Sequence, residues 1–166
     1  GRNLLIANPR DFAGFVRELS EHGFTFFSGV NTLFNALLHT PGFDRLDFSR
    51  LRVSLGGGMA VQKAVADHWL QVTGNVLTQA WGLTETSPGA TVNRLDAKEF
   101  NGSIGLPISS TVITIRDDDG NVLPVGQSGE ICVEGPQVMR GYWNRPDETA
   151  KVMIGARVLR TGDVGY

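Results

Sequence analysis

Thr84 and Glu85 stand side by side in the stretch Trp81-Gly82-Leu83-Thr84-Glu85-Thr86-Ser87-Pro88. A threonine hydroxyl can donate to a phosphate oxygen, whereas a glutamate repels a phosphate unless a cation lies between them. The pair therefore points to a nucleotide carried with Mg2+. Trp81 adds a flat face on which a base can stack. Asp163, in Leu159-Arg160-Thr161-Gly162-Asp163, has two oxygens that can accept from the adjacent hydroxyls of a ribose. Each of these residues has a plainer alternative: Glu85 as a solvated loop carboxylate, Trp81 as a core aromatic, Asp163 as a turn residue after glycine. On residue type alone the plainer alternatives lead.

The run Gly56-Gly57-Gly58 is a further candidate, because backbone without side chains lets a flat ring or an acyl chain approach closely. A tight turn before a helix accounts for it equally well. It lacks the Gly-Lys-Ser/Thr ending of a phosphate-binding loop, and Val61 stands where the dinucleotide fingerprint requires its third glycine. His22, His39 and His68 have no metal-ligand spacing. Cys132, the single cysteine, alternates with Ile131 and Val133 as a strand residue does; it excludes an intrachain disulfide and favours a reducing, cytoplasmic setting.

The elements that must position these residues follow two grammars. In the first half short apolar runs alternate with helical patterns. Leu4 to Ala7 reads as a buried strand, and Asn8 and Pro9 as the cap and first turn of a helix carrying Phe12, Phe15, Val16 and Leu19. Phe24 to Phe27 is the next run, Asn31 caps a short helix, and Arg52 to Leu55 leads into the glycines. A helix carrying Val61, Val65 and Trp69 then ends at Gly74, and Val76 to Ala80 makes a fourth strand. Strands and helices alternating at this length imply crossover connections and a mostly parallel sheet, whose ligands bind beyond the carboxyl ends of the strands. Both Gly56-Gly57-Gly58 and the Trp81 loop occupy such ends.

After about Phe100 the pattern changes. Thr111 to Arg116 and Gly129 to Glu134 are short strands among recurring glycines and prolines, the signature of a compact β-rich lobe, read as a distorted barrel. The expected fold is α/β: a parallel-sheet subdomain over residues 1–95, then a β-barrel-like subdomain over residues 96–166, both incomplete, since the two chain ends read as cuts. A hydrophobic share of 41%, a charged share of 19% and a net charge of −2 fit a folded globular protein. Lys and Arg are scattered, so the basic stripe of a nucleic-acid binder is missing and no nucleic-acid partner is expected. Apolar runs fall short of the roughly 20 residues that span a bilayer.

Four stretches in order resemble the signatures of the adenylate-forming, or AMP-binding, superfamily: TQAWGLTETSP, GSIGLP at Gly102 to Pro107, GEICVEGPQVMRGYWNRP at Gly129 to Pro146, and LRTGDVGY at Leu159 to Tyr166. SGVNTLFNALL and DFSRLRVSLGGGMAVQ are most similar to long-chain fatty acid CoA ligases of the bacterial type. The resemblance covers essentially the whole chain but about a third of such an enzyme. It implies a parent that converts a fatty acid, with ATP, Mg2+ and coenzyme A, first to acyl-AMP and then to a thioester. Thr84 and Glu85 would be the catalytic pair, Thr84 at the α-phosphate and Glu85 as the Mg2+ ligand. Trp81, in place of the usual Tyr, would stack on adenine, with Ala80 and Gly82 beside it in the nucleotide site. Asp163 would bind the ribose, and Gly56, Gly57 and Gly58 would border adenine and the acyl tunnel.

The family's phosphate-clasping loop and its lysine-bearing C-terminal domain fall outside these residues. The isolated polypeptide is therefore expected to be inactive, with the remaining N- and C-terminal parts of the parent as its partners. The parent is expected in the cytoplasm, with peripheral contact at the inner face of the membrane left open. An adenylation domain that loads an amino or aryl acid onto a carrier protein, and a non-catalytic module that retains the fold, are the alternatives.

Overall fold

A computed structural model describes residues 1–166, and the chain packs as two compact units, residues 1–80 with 93–105 and residues 81–92 with 106–166. In the first unit three helices, α1 (Phe12–Glu21), α2 (Asn31–Leu38) and α3 (Lys63–Thr73), accompany the strands β1 (Phe26–Gly29), β2 (Val53–Gly56) and β3 (Leu77–Trp81). The strands are parallel, with Phe27 beside Ser54 and Ser54 beside Leu77. The parallel α/β reading holds.

Aromatic packing builds the core. Phe27, Phe34, Phe43 and Trp69 are buried, and the rings of Phe34 and Trp69 meet edge to face at 4.8 Å, a geometry that aligns the positive rim of one ring with the negative face of the other. The indole Nε1 of Trp69 donates to Ser54 Oγ at 2.9 Å, and that hydroxyl donates to Asn75 Oδ1 at 2.7 Å. The polar edge of a fully buried ring is thereby satisfied, as the low-dielectric interior demands. Gly74 closes α3 in the left-handed region at φ 68°, where a Cβ would be strained.

Three local expectations need correction. Residues 4–7 form no strand: Leu4 and Leu5 are exposed and only Ile6 packs on the core, so this apolar run has neither a ladder partner nor a buried face. Asp11, not Asn8, caps α1, because its carboxylate accepts from Gly14 N at 2.9 Å; Asn8 Oδ1 instead closes a local turn on Arg10 N. Asn31 does not cap its own helix. Its buried side chain accepts from Gln62 N at 2.9 Å, satisfying the backbone just before α3.

The second unit is β-rich, as expected. A short antiparallel pair, β4 (Thr91–Val92) and β5 (Leu106–Pro107), accompanies an antiparallel sheet of β6 (Val112–Arg116), β7 (Gly129–Glu134), β8 (Met153–Ile154) and β9 (Val158–Gly165), ordered β6-β7-β9-β8. One short helix, α4 (Pro146–Val152), starts with proline at its first turn, where the missing N–H costs nothing. Ile131, Cys132, Val133 and Leu159, with Ala90, form the second unit's small buried apolar centre. Burial raises the Cys132 thiol above its usual range, with nearby Glu130 adding to the effect.

Candidate functional site

Trp81 closes β3, and its carbonyl accepts from Ala90 N at 3.0 Å, so the intervening residues form a closed loop. Gly82 opens that loop and has to be glycine: a Cβ there would overlap the Pro88 carbonyl oxygen. Thr86, fully buried, ties the loop from inside. Its Oγ1 accepts from Leu83 N at 2.9 Å and lies 2.8 Å from the Pro88 carbonyl, to which it can donate. Thr84 and Glu85 ride on the resulting 3-10 turn, Thr84–Thr86, with Thr84 exposed and Glu85 half-buried.

Glu85 is held from two sides. Its backbone carbonyl accepts from Met139 N, and its Oε1 accepts from the Tyr142 hydroxyl, both at 2.8 Å. That hydrogen bond, foremost, raises the Tyr142 phenol above the ordinary tyrosine range, since ionisation would set two anions against each other. Tyr142 therefore remains a donor. Its own amide donates to Thr149 Oγ1 on α4 at 2.9 Å. A cavity of about 180 Å³ opens beside this pair, lined among others by Leu83, Glu85, Tyr142, Glu130 and Arg160.

Asp163 sits on β9 rather than in a simple turn. The β7–β9 register runs from Cys132 opposite Arg160 to Glu130 opposite Val164, so Thr161, Gly162 and Asp163 form a bulge facing a single residue of β7. Gly162 adopts φ 78°, which makes the bulge sterically admissible. Asp163 Oδ2 accepts from Trp81 Nε1 at 2.9 Å. The two residues singled out for base and ribose are thus direct partners, although 82 positions separate them in sequence.

The bulge has its own anchor. Glu130 Oε1 accepts from Gly162 N at 2.9 Å, while its Oε2 accepts from Arg160 Nε at 2.6 Å, an ion pair that raises the guanidinium pKa. Thr161 Oγ1 donates to Ile131 O at 2.7 Å and accepts from Asp163 N at 3.1 Å. Sequence reasoning gave no role to Tyr142, Glu130 or Arg160. All three lie inside the signature-like stretches, but nothing in their spacing shows which loop each would reach.

Gly56, Gly57, Gly58 and Ala80 lie in the first unit. Gly56 ends β2, and a Cβ on it would crowd the Val61 side chain, while Gly58 occupies φ 74°. Both thus have a structural reason to be glycine. Gly57 differs: its N donates to Gly29 O at 3.1 Å, and a Cβ there would meet only the Ala80 carbonyl, at an ordinary 3.5 Å.

Comparison with known proteins gives a consistent picture. The family model described as AMP-binding enzyme matches residues 1–143. A long-chain-fatty-acid–CoA ligase of Yersinia pestis is 57% identical over 99% of this chain, and one of Escherichia coli O6:H1 is 53% identical over the same share. The chain spans 29% of the length of each of these curated relatives. Among solved structures, an anthranilate CoA ligase in complex with anthranoyl-AMP matches with a TM-score of 0.87 at 25% identity, over 97% of this chain and 31% of that one.

Proposed function

Because the chain belongs to the AMP-binding enzyme family, we propose that it is a segment of a long-chain fatty acid–CoA ligase and supplies the base-, ribose- and metal-facing side of its ATP site. In that reading residues 1–95 belong to the parent's α/β subdomain and residues 96–166 to its β-barrel-like subdomain. The parent's setting in this reading is the cytoplasm, with peripheral contact at the inner face of the membrane left open. No helix of this chain is long and apolar enough to cross a membrane.

The observation that carries the reading is the hydrogen bond from Trp81 Nε1 to Asp163 Oδ2. It leaves Oδ1 and a second lone pair on Oδ2 as acceptors, the number that two ribose hydroxyls require. It also fixes the indole next to that carboxylate, so base and sugar can be read by one rigid pair. Thr84, exposed on its turn, is the hydroxyl available to the α-phosphate.

Mg2+ is compatible with the residues present. The chain has no group of three or more His, Cys, Asp or Glu side chains able to cage an ion. Mg2+ bound together with nucleotide phosphates needs only one or two carboxylates, and Glu85 provides one, its Oε1 steadied by Tyr142. Bound there, the ion would neutralise developing phosphate charge.

In the first half-reaction an oxygen of the fatty carboxylate attacks the α-phosphorus, the bond to the bridging oxygen breaks, and pyrophosphate leaves. In the second, the coenzyme A thiolate attacks the acyl carbon and AMP leaves. No side chain of this segment forms a covalent bond in either half; positioning and charge compensation are its share.

The test is adenylate formation by the full-length enzyme carrying this segment, with ATP, 2′-deoxy-ATP and 3′-deoxy-ATP. Each analogue removes one donor to Asp163, so kcat/KM should fall about ten- to a hundredfold per deletion, and Asp163→Ala should erase the difference. An Asp163→Ala enzyme that stays active and still rejects both analogues as strongly would assign the ribose to another group.

A further inference from the structure

We propose that Glu130 is a positioning residue for Asp163: by gripping the β9 bulge at two points it sets where the ribose-binding carboxylate stands. The proposal rests on the ribose reading above and adds a residue to which that reading gives no part.

The grip is built from atoms on both sides of the bulge. Gly162 N, the amide immediately before Asp163, donates to Glu130 Oε1, and Arg160 Nε, from the residue at the other end of the bulge, donates to Oε2. One carboxylate therefore spans the extra residues and keeps them from straightening into regular ladder. The glutamate is largely shielded, its side chain 20% exposed, and its partner Arg160 is 32% exposed. Shielding of this kind keeps a charge-assisted hydrogen bond from being exchanged for water. Thr161 adds a cross-tie to Ile131 O, and Asp163 N returns to Thr161 Oγ1. Beyond the bulge, the sole side-chain tether of Asp163 is Trp81 Nε1, so freeing the bulge would leave the carboxylate on one hinge.

Glu130 bonds to Gly162 N and Arg160 Nε rather than to the Asp163 carboxylate or the Trp81 indole, and its effect should therefore appear in ribose reading rather than in chemistry. The experiment compares ATP with 2′-deoxy-ATP and 3′-deoxy-ATP in the full-length enzyme for Glu130→Ala, Glu130→Gln and Asp163→Ala. Glu130→Ala removes both acceptors. It should cut the preference for ATP by about tenfold through a higher KM for ATP, with kcat on saturating ATP within about threefold of the parent, as expected for loss of a charge-assisted hydrogen bond. Glu130→Gln keeps an acceptor for Gly162 N but loses the ion pair, and should lose about a third to a half as much on a logarithmic scale. If Glu130→Ala does not fold, the Gln variant decides: an undiminished preference for ATP in the folded Gln enzyme overturns the proposal. Full preference in a folded Ala enzyme overturns it equally, provided Asp163→Ala has lost preference. Should Asp163→Ala itself keep the preference, the ribose reading fails and the positioning role fails with it.

Discussion

In the first unit the largest buried side chains, Trp69, Phe34 and Phe43, are rings packed on one another, and their contacts have little directional demand. In the second, the buried apolar centre is confined to a few β7 and β9 side chains with Ala90, and the loops are held by single polar atoms: Thr86 inside the Trp81 loop, Glu130 under the bulge, Gln137 Nε2 bridging Gly89 O and Thr111 Oγ1. Dispersion and burial set the stability of a unit, but they tolerate small displacements. Hydrogen bonds contribute less each and fix an atom to a few tenths of an ångström. The loop carrying Thr84 and Glu85 and the bulge carrying Asp163 are anchored in this second way.

The contrast is testable by substitutions that ought to differ in kind. Phe34→Ala should be the costliest, about 3–5 kcal/mol, since it leaves a cavity among rings that cannot collapse into it. Urea unfolding measures it; a cost below about 1 kcal/mol would mean that the aromatic cluster is not the support of the first unit. Thr86→Val keeps shape but leaves Leu83 N and the Pro88 carbonyl without the Thr86 hydroxyl, a cost of about 1–3 kcal/mol. It should also raise the KM for ATP in the full-length enzyme, which Phe34→Ala at permissive temperature should not.

Asp11→Ala removes only the α1 cap and should cost about 1 kcal/mol without any effect on nucleotide kinetics. The smallest effect is a titration. Ultraviolet absorbance should show Tyr142 ionising above the ordinary tyrosine range, and Glu85→Gln should bring that ionisation down toward it. The sign follows from the raised value: the Tyr142–Glu85 bond is intact below the ordinary tyrosine pKa, and its contribution is lost as pH climbs through the elevated one. A Tyr142 titration unchanged by Glu85→Gln would place the cause of the shift elsewhere.

Legibility in the sequence follows the same division. Apolar periodicity located α1, α2 and α3, and the strand runs at Arg52 to Leu55 and Gly129 to Glu134 fall within a residue of β2 and β7, because burial repeats with the period of the element. It misled at residues 4–7, where apolar composition came without a ladder partner. Local polar rules did worse. Asn31 has a good capping side chain, yet a residue 31 positions away claims it. The Trp81 loop and Asp163 were visible as motifs, but not that they are hydrogen-bonded to each other, and the two extra residues in β9 left no mark in composition. Pairings of this kind are products of tertiary register, which no short window of residues encodes.

Cys132 has a practical consequence for all of these experiments. It is the only thiol of the chain, it lies buried at 1% exposure in the middle of β7, and its proton is held more tightly than usual. Alkylating reagents need an accessible thiolate, which this residue offers only when the sheet opens. A cysteine introduced at an exposed position such as Trp143 would therefore be the one site in this segment to take a maleimide dye at neutral pH. The native thiol would report separately, its labelling rate serving as a clock for the opening of the second unit.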